Sequence, residues 1–392
     1  MSKIVQLKDI AKLNMGQSPK SEFYTVNNED TPFLQGNRTF GHKYPYIDTY
    51  CSKPTKMATK GNVLMSVRAP VGHLNVAPCN LCIGRGVAEI QSLTNEPEYL
   101  YYVLLANQYR LDKGGNGTIF NSIGRDELNN LKLKVPEEKH KERFVDTLKT
   151  IDDKIEINYN NVKIINEYIQ IMYHKWFVDF NFPNEKGNPY KKSNGEFEEI
   201  DGKFIPKNWR FIKLNEITDK VTQTIDPQIY PKTVYKHYSI PVYDESKTYA
   251  EELGETILSS KYVVTNNNLL VSKLNPWFKR IIYPMNSSEN MICSTEFVVW
   301  KPINENILEY LYVIANTSRF TNYCTNASSG TSNSHKRVNP DYMMKFKVPY
   351  NEEVVLSFNE LIKPMVKKLN LLLFENKNLK EIRNLLIKKL ID

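Results

Sequence analysis

The chain has 392 residues, 41% hydrophobic and 24% charged, which exceeds what one hydrophobic core usually serves, supports two buried cores and excludes disorder as the default. A formal net charge of +8 and a pI near 8.9 favour a polyanionic partner but are modest for a dedicated nucleic-acid binder, and a Lys-, Asn- and Ile-rich composition alone produces them. Five irregularly spaced cysteines (Cys51, Cys79, Cys82, Cys293, Cys324) behind an opening MSKIVQLKDI without a signal peptide predict a reducing cytoplasm, and no apolar run reaches the roughly 18 residues of a membrane span.

In chain order, Gln6-Leu7-Lys8-Asp9-Ile10 is followed by Gly61-Asn62-Val63-Leu64-Met65-Ser66, Glu98-Tyr99-Leu100-Tyr101-Tyr102-Val103 and Leu133-Lys134-Val135-Pro136, and then by a long helix. The same order returns in Lys213-Leu214-Asn215-Glu216-Ile217, Asn267-Asn268-Leu269-Leu270-Val271-Ser272, Glu309-Tyr310-Leu311-Tyr312-Val313 and Phe346-Lys347-Val348-Pro349 ahead of a terminal helix. Four ordered matches at an offset of about two hundred residues mark a duplicated module. Within each copy, runs such as Gly61 to Val67 and Thr295 to Trp300 read as strands, and Glu98 to Gln108 and Asn306 to Asn316 as helices. Strands interrupted by a single helix predict an α+β module.

From Phe144 to Phe177 apolar residues recur in steps of four and three at Ile151, Ile155, Val162, Ile165, Ile169, Met172 and Trp176, with Asn158 in the one gap. This is a coiled-coil seam, and Asp152, Asp153, Lys154, Glu156, Lys163 and Glu167 form its solvated face. Met365, Leu369, Leu372, Leu379, Leu386 and Leu390 repeat the pattern, with Asn376 at a seam position, Ile382 beside Arg383, and Pro364 expected in the first turn or at a kink. Neither helix of about 35 residues, roughly 50 Å at 1.5 Å per residue, can bury its stripe alone. An antiparallel pair is the economical solution, with the two modules at opposite ends and a pseudo-twofold axis between them. Asn181 to Trp209, rich in turn formers, is a linker with room for one short hairpin.

Several active sites are absent from this sequence. Gly114-Gly115-Asn116-Gly117-Thr118 lacks the lysine of a phosphate loop. Asn275-Pro276-Trp277-Phe278 and Asn339-Pro340-Asp341-Tyr342 lack the second proline of the Asn-Pro-Pro-Tyr loop of amino-methyltransferases, and read as turns. Gly84-Arg85-Gly86 is too short for a dinucleotide fingerprint, one Cys79-Asn80-Leu81-Cys82 with His73 falls short of a closed zinc site, and Pro136-Glu137-Glu138-Lys139 reads as an acidic helix start. The loops carry nucleic-acid chemistry instead. Asn37 and Arg38, Arg68 and His73, and Asn116, Thr118 and Asn121 stand beside glycines in the first copy; Lys273, Lys279, Arg280, Asn333, His335, Lys336 and Arg337 answer in the second. Arginine reads guanine, asparagine reads adenine, and hydroxyls and lysines hold phosphates.

With those residues in place, the chain resembles, over essentially its whole length, a specificity subunit of a type I restriction-modification system. Gln35-Gly36-Asn37, Ser66-Val67-Arg68-Ala69-Pro70-Val71-Gly72 and Ile83-Gly84-Arg85-Gly86 are similar to one recurrent class of its recognition domain, whereas Cys293-Ser294-Thr295-Glu296-Phe297 departs from it, so the two copies are expected to read different sequences. The resemblance implies target-recognition domains at 1–140 and 209–350, spacer helices at 141–178 and 351–392, and a linker at 179–208. It also implies a non-catalytic DNA-recognition subunit that recruits two modification subunits and, in a full system, two restriction subunits. S-adenosylmethionine, ATP and magnesium would then belong to those partners, with no cofactor on this chain. The competing readings are a self-contained DNA methyltransferase or nuclease, against which the missing donor loop argues, and a protein-binding scaffold without DNA. A steep salt dependence of duplex binding separates the scaffold from the DNA reader.

Overall fold

A computed structural model describes residues 2–108, 122–200, 202–284, 289–330 and 335–391. The chain divides into two compact units, Met1–Ile157 with Asn378–Asp392, and Asn158–Lys377. Each unit therefore holds one copy of the duplicated module and a stretch of both long helices, Lys141–Phe177 and Glu352–Ile391.

In the first unit Ser2–Gln6 pairs antiparallel with Lys132–Pro136, which closes the module's ends on each other. Between them a four-stranded sheet orders Ala11–Met15, Val87–Ser92, Val63–Ser66 and Leu74–Val76, and a five-stranded sheet orders Tyr24–Thr25, Tyr50–Cys51, Thr31–Leu34, Leu81–Ile83 and Met57–Ala58. Val63–Ser66 is buried on both faces, which is why it reads as a continuous apolar run and not as an alternation. The helix Pro97–Ala106 begins on its proline, whose missing N–H costs nothing at a first helical position, and buries Leu100 to Leu104 against this sheet and against Phe144 and Leu148 of the central helix.

The second unit repeats the plan. Arg210–Lys213 pairs with Lys347–Tyr350. The four-stranded sheet is Thr218–Val221, Phe297–Pro302, Leu269–Ser272 and Ile281–Ile282, and a parallel pair, Val234–Tyr238 with Met291–Cys293, answers to Thr31–Leu34 with Leu81–Ile83. The expectation of one helix per module fails in both: Arg125–Asn129 follows Pro97–Ala106 in the first, and Ile240–Ser246, Ser318–Asn326 and the four-residue Pro340–Met343 accompany Leu308–Asn316 in the second. Ile240–Ser246 and Ser318–Asn326 are too short for a period to show, but the Ser239 and Thr317 hydroxyls cap them by accepting from the Val242 and Phe320 N–H groups. The linker does contain a hairpin, Phe197–Ile200 with Lys203–Pro206. Pro364 sits inside the terminal helix and not in its first turn.

Two residues of the long helices depart from the sequence reading. Asp152, expected on the solvated face, is completely buried in the first unit: its carboxylate accepts from Arg383 Nη1 at 2.8 Å and lies 2.8 Å from His42 Nε2. Arg383 is buried and its neighbour Ile382 is half exposed, because the seven-residue step from Leu369 through Asn376 arrives at Arg383. Burial pulls the His42 pKa below its ordinary 6.5, and Asp152 only partly offsets this. Burial would raise the Asp152 carboxyl, but the His42 hydrogen bond and the Arg383 charge overcome it and hold the pKa below the carboxylate range. Since both folded pKa values are lowered, the unfolded chain takes up each proton first. Stability should be complete above about pH 6.5 and decline as pH falls through that value, with a further loss below about pH 4. Melting temperatures between pH 8 and pH 5 should show the first decline, and His42→Gln should flatten it.

In the second unit Asn158 Nδ2 donates to Asn376 Oδ1 at 2.8 Å and to Glu375 Oε2 at 2.9 Å, and both asparagines are buried. A buried amide pair restricts which residues of two helices can face each other, because any slip strands a polar group among apolar side chains. Asn158→Leu should cost about 1–3 kcal/mol by removing the donor from a buried acceptor, and adding Asn376→Leu should recover most of that loss. Urea unfolding of the four variants of the cycle measures it; simple additivity would mean that the two amides are not coupled.

Candidate nucleic-acid interface

In the first module the candidate residues converge on one loop neck. Ser66 N donates to the His73 carbonyl at 2.9 Å, and Ser66 Oγ accepts from His73 N at 2.9 Å and donates to the Pro70 carbonyl at 2.6 Å. Gly72, with φ +88°, returns the chain to the strand as only glycine does without strain. Arg68 stands exposed on the loop so closed, in an isolated β-bridge with Ser122. Asn37 Nδ2 lies 3.3 Å from His73 Nδ1, and Arg38 Nη2 donates to Asp48 Oδ1 at 2.7 Å. The Gln35-Gly36 segment packs on Gly84-Arg85-Gly86 through Gly86 N to the Gln35 carbonyl at 3.1 Å, and Gln35 Oε1 accepts from Ser18 Oγ at 3.1 Å and Tyr24 Oη at 3.0 Å.

The second module builds the same neck from different residues. Ser272 N donates to the Arg280 carbonyl as Ser66 N does to His73; Lys273 N bonds the Glu296 carbonyl as Val67 N bonds Gly86; Val338 N bonds the Lys273 carbonyl as Ile123 N bonds Val67. Lys273 therefore stands at the position of Val67, Leu274 at that of Arg68, Arg280 at that of His73, Glu296 at that of Gly86 and Arg337 at that of Ser122. Where the first module has glycine and serine, the second has a bidentate ion pair: Arg337 Nε and Nη2 donate to the Glu296 carboxylate at 2.9 Å each, which raises the guanidinium pKa further. Arg280 is likewise engaged, with Nε and Nη2 on Asp244 at 2.7 Å each. Lys279 Nζ donates to the Asn316 carbonyl at 3.1 Å, and Asn275 clamps the backbone of Lys336 through bonds of 2.7 and 3.0 Å.

The structure thus brings together Asn37, Arg68 and His73 in one module, and Lys273, Lys279, Arg280, Lys336 and Arg337 in the other; His335 adjoins the latter group and is exposed. Asn116, Thr118, Asn121, Asn333 and the side chain of Leu390 lie outside the described residues. The sequence reading passed over Ser18, Gln35 and Arg85 as individual site residues. Arg85 is exposed, and its N–H donates to Ser18 Oγ at 3.1 Å; two flanking glycines were the available signal for a close backbone approach. Among the described residues no cluster of His, Cys, Asp and Glu could hold a metal, and no helix is long and apolar enough to cross a membrane.

Residues 2–167 match the family model of the type I restriction modification DNA specificity domain. A Methanocaldococcus jannaschii chain named as the MjaX type I restriction enzyme specificity subunit is 40% identical over 148 residues, 37% of this chain and 35% of that one. The MjaIX specificity subunit of the same organism is 24% identical over 272 residues, 64% of this chain and 61% of that one. The chain thus spans less than two thirds of both relatives. The crystal structure of a type I restriction-modification S subunit from M. genitalium matches all of this chain and 96% of that one, with a TM-score of 0.58 at 16% identity, a likeness of fold.

Two glycines of the first module separate space from conformation. A Cβ on Gly86 would lie 2.7 Å from the Gln35 carbonyl oxygen, whereas one on Gly36, whose φ of −164° any residue adopts, would meet nothing within 4 Å. Gly86→Ala should therefore destabilise the module by roughly 1–3 kcal/mol through overpacking. Gly36→Ala should be close to neutral. Urea midpoints of the two variants measure the contrast.

Proposed function

We propose that this chain, which belongs through residues 2–167 to the type I restriction modification DNA specificity domain family, reads a bipartite, asymmetric DNA duplex for a type I restriction-modification complex, one half-site with each module. The observation that carries this reading is the repeated neck. One backbone hydrogen-bond frame presents Arg68, Asn37 and His73 in one module and Lys273, Lys336 and the Arg337–Glu296 pair in the other. Constant geometry with changed polar side chains is what two base-reading surfaces of different specificity require.

Catalysis is assigned to partners. Modification subunits would bring S-adenosylmethionine, and restriction subunits, where present, ATP and magnesium. The long helices would form an antiparallel coiled-coil spacer, which is supported by the order of partners: Asp152 with Arg383 in the first unit and Asn158 with Asn376 in the second. Docking of the modification subunits on these helices is supported by Ile164, Tyr168 and Ile171, each more than half exposed at spacings of four and three on one helix.

Replacing residues 1–140 with the first domain of another family member tests the reading, with half-sites mapped by methylation in complex with modification subunits. One half-site should change and the other should stay; a change in both, or in neither, would refute the modular reading. In the same assay Arg68→Ala should cost about 1–3 kcal/mol on the cognate duplex and relax discrimination, whereas Lys336→Ala should weaken all duplexes alike and reduce the slope of log K against log salt by about one.

A further inference from the structure

The loop between Ser272 and Arg280 differs from its counterpart in what stands at its apex. In the first module Val71 is buried at this point. In the second, the apex is Pro276-Trp277-Phe278, and 53% of the Phe278 surface is exposed. A lone exposed phenylalanine is unremarkable in itself, but this one is held rigidly. Phe278 N donates to the Asn275 carbonyl at 2.9 Å, and the Arg280 guanidinium lies 4.9 Å from the Phe278 ring centroid while its Nε–Nη2 edge is fixed on Asp244. The Trp277 ring centroid lies 5.8 Å from that of Phe278, tilted by 48°. Lys279 follows Phe278 directly, and the backbone of Lys336, next to His335, is bonded to Asn275 at the base of the apex, so a polyanion that meets these cations lies close to the ring.

We propose that Phe278 is an apolar wedge: it enters a base step of the duplex bound by the second module and partly unstacks it, with Trp277 and the fixed Arg280 guanidinium as its support. The proposal rests on the DNA-reading function proposed above. Its physical basis is that a pre-organised ring loses little side-chain freedom on insertion, while the surrounding cations offset the unstacking by closer phosphate contact. The first module, with Val71 buried and Arg68 outermost, would read its half-site without a wedge.

The test uses the full chain. Duplexes selected by it from a random-sequence library are relabelled at every adenine with 2-aminopurine and at every cytosine with pyrrolocytosine, on both strands, so that each base pair reports its own stacking. Wild type should raise fluorescence roughly two-fold or more at one step, or two adjacent steps, within a single half-site. Phe278→Ala and Phe278→Ser should abolish that rise with selection of the other half-site unchanged, and Phe278→Leu should keep part of it. A duplex that is selected and bound with no rise at any position, or with the same rise in Phe278→Ala, would overturn the wedge and leave the DNA-reading function standing. Failure to enrich any sequence would overturn both.

Discussion

The structure depends on a backbone constraint: each loop of the candidate interface is tied at its neck by main-chain hydrogen bonds that are indifferent to side chains. Ser66 to His73 and Ser272 to Arg280 are the same bond, as are Val67 to Gly86 and Lys273 to Glu296. A frame of this kind lets Arg68 be exchanged for Leu274, or Ser122 for Arg337, without a change of fold. Loops anchored this way carry function while the sheets beneath carry stability. The pairing of Ser2–Gln6 with Lys132–Pro136, and of Arg210–Lys213 with Lys347–Tyr350, serves the same end by closing each module before the long helices begin.

Tolerance has a steric limit. Gly86 meets the Gln35 carbonyl so closely that no side chain fits, yet Glu296 occupies the equivalent place. The second module admits it because the chain after Val234–Tyr238 turns into the helix Ile240–Ser246, capped by Ser239, where the first module continues through Gln35-Gly36 into Asn37–Thr39. The change at one loop thus required a change at its neighbour. The divergence of the two copies is a coupled replacement of adjacent loops, and not a scatter of independent substitutions.

The duplication, the α+β class, the positions of both long helices and the linker hairpin were all legible in the sequence, because they rest on order, period and turn chemistry. The helices Ile240–Ser246 and Ser318–Asn326 were not, since a helix of about two turns is too short for its period to show and leaves only its cap as a signal. Asp152 and Arg383 misled for another reason. Charged residues on a helix read as solvated unless a partner is known, and the partners here lie 231 residues apart, with His42 further still from Arg383. At the candidate interface the loops were legible from glycine, arginine and asparagine content, but which cations carry a carboxylate was not.

That last distinction governs the electrostatics of the second module. Counted from sequence, Lys273, Lys279, Arg280, His335, Lys336 and Arg337 form a dense basic patch. In the fold, Asp244 and Glu296 each hold one arginine in a bidentate grip, so the patch presents lysines to a polyanion and offers arginine only within a pair. A lysine ammonium is a point charge suited to phosphates, whereas a guanidinium fixed by a carboxylate is oriented before any ligand arrives. Arg280 is the more buried of the two arginines, and the Arg337–Glu296 pair stays accessible at the surface. The first module inverts this, since Arg68 is exposed and the small residues Ser122 and Gly86 lie around its base. Two copies of one frame therefore present different surfaces, an exposed arginine in the first and, in the second, an exposed apolar apex beside arginines held by carboxylates.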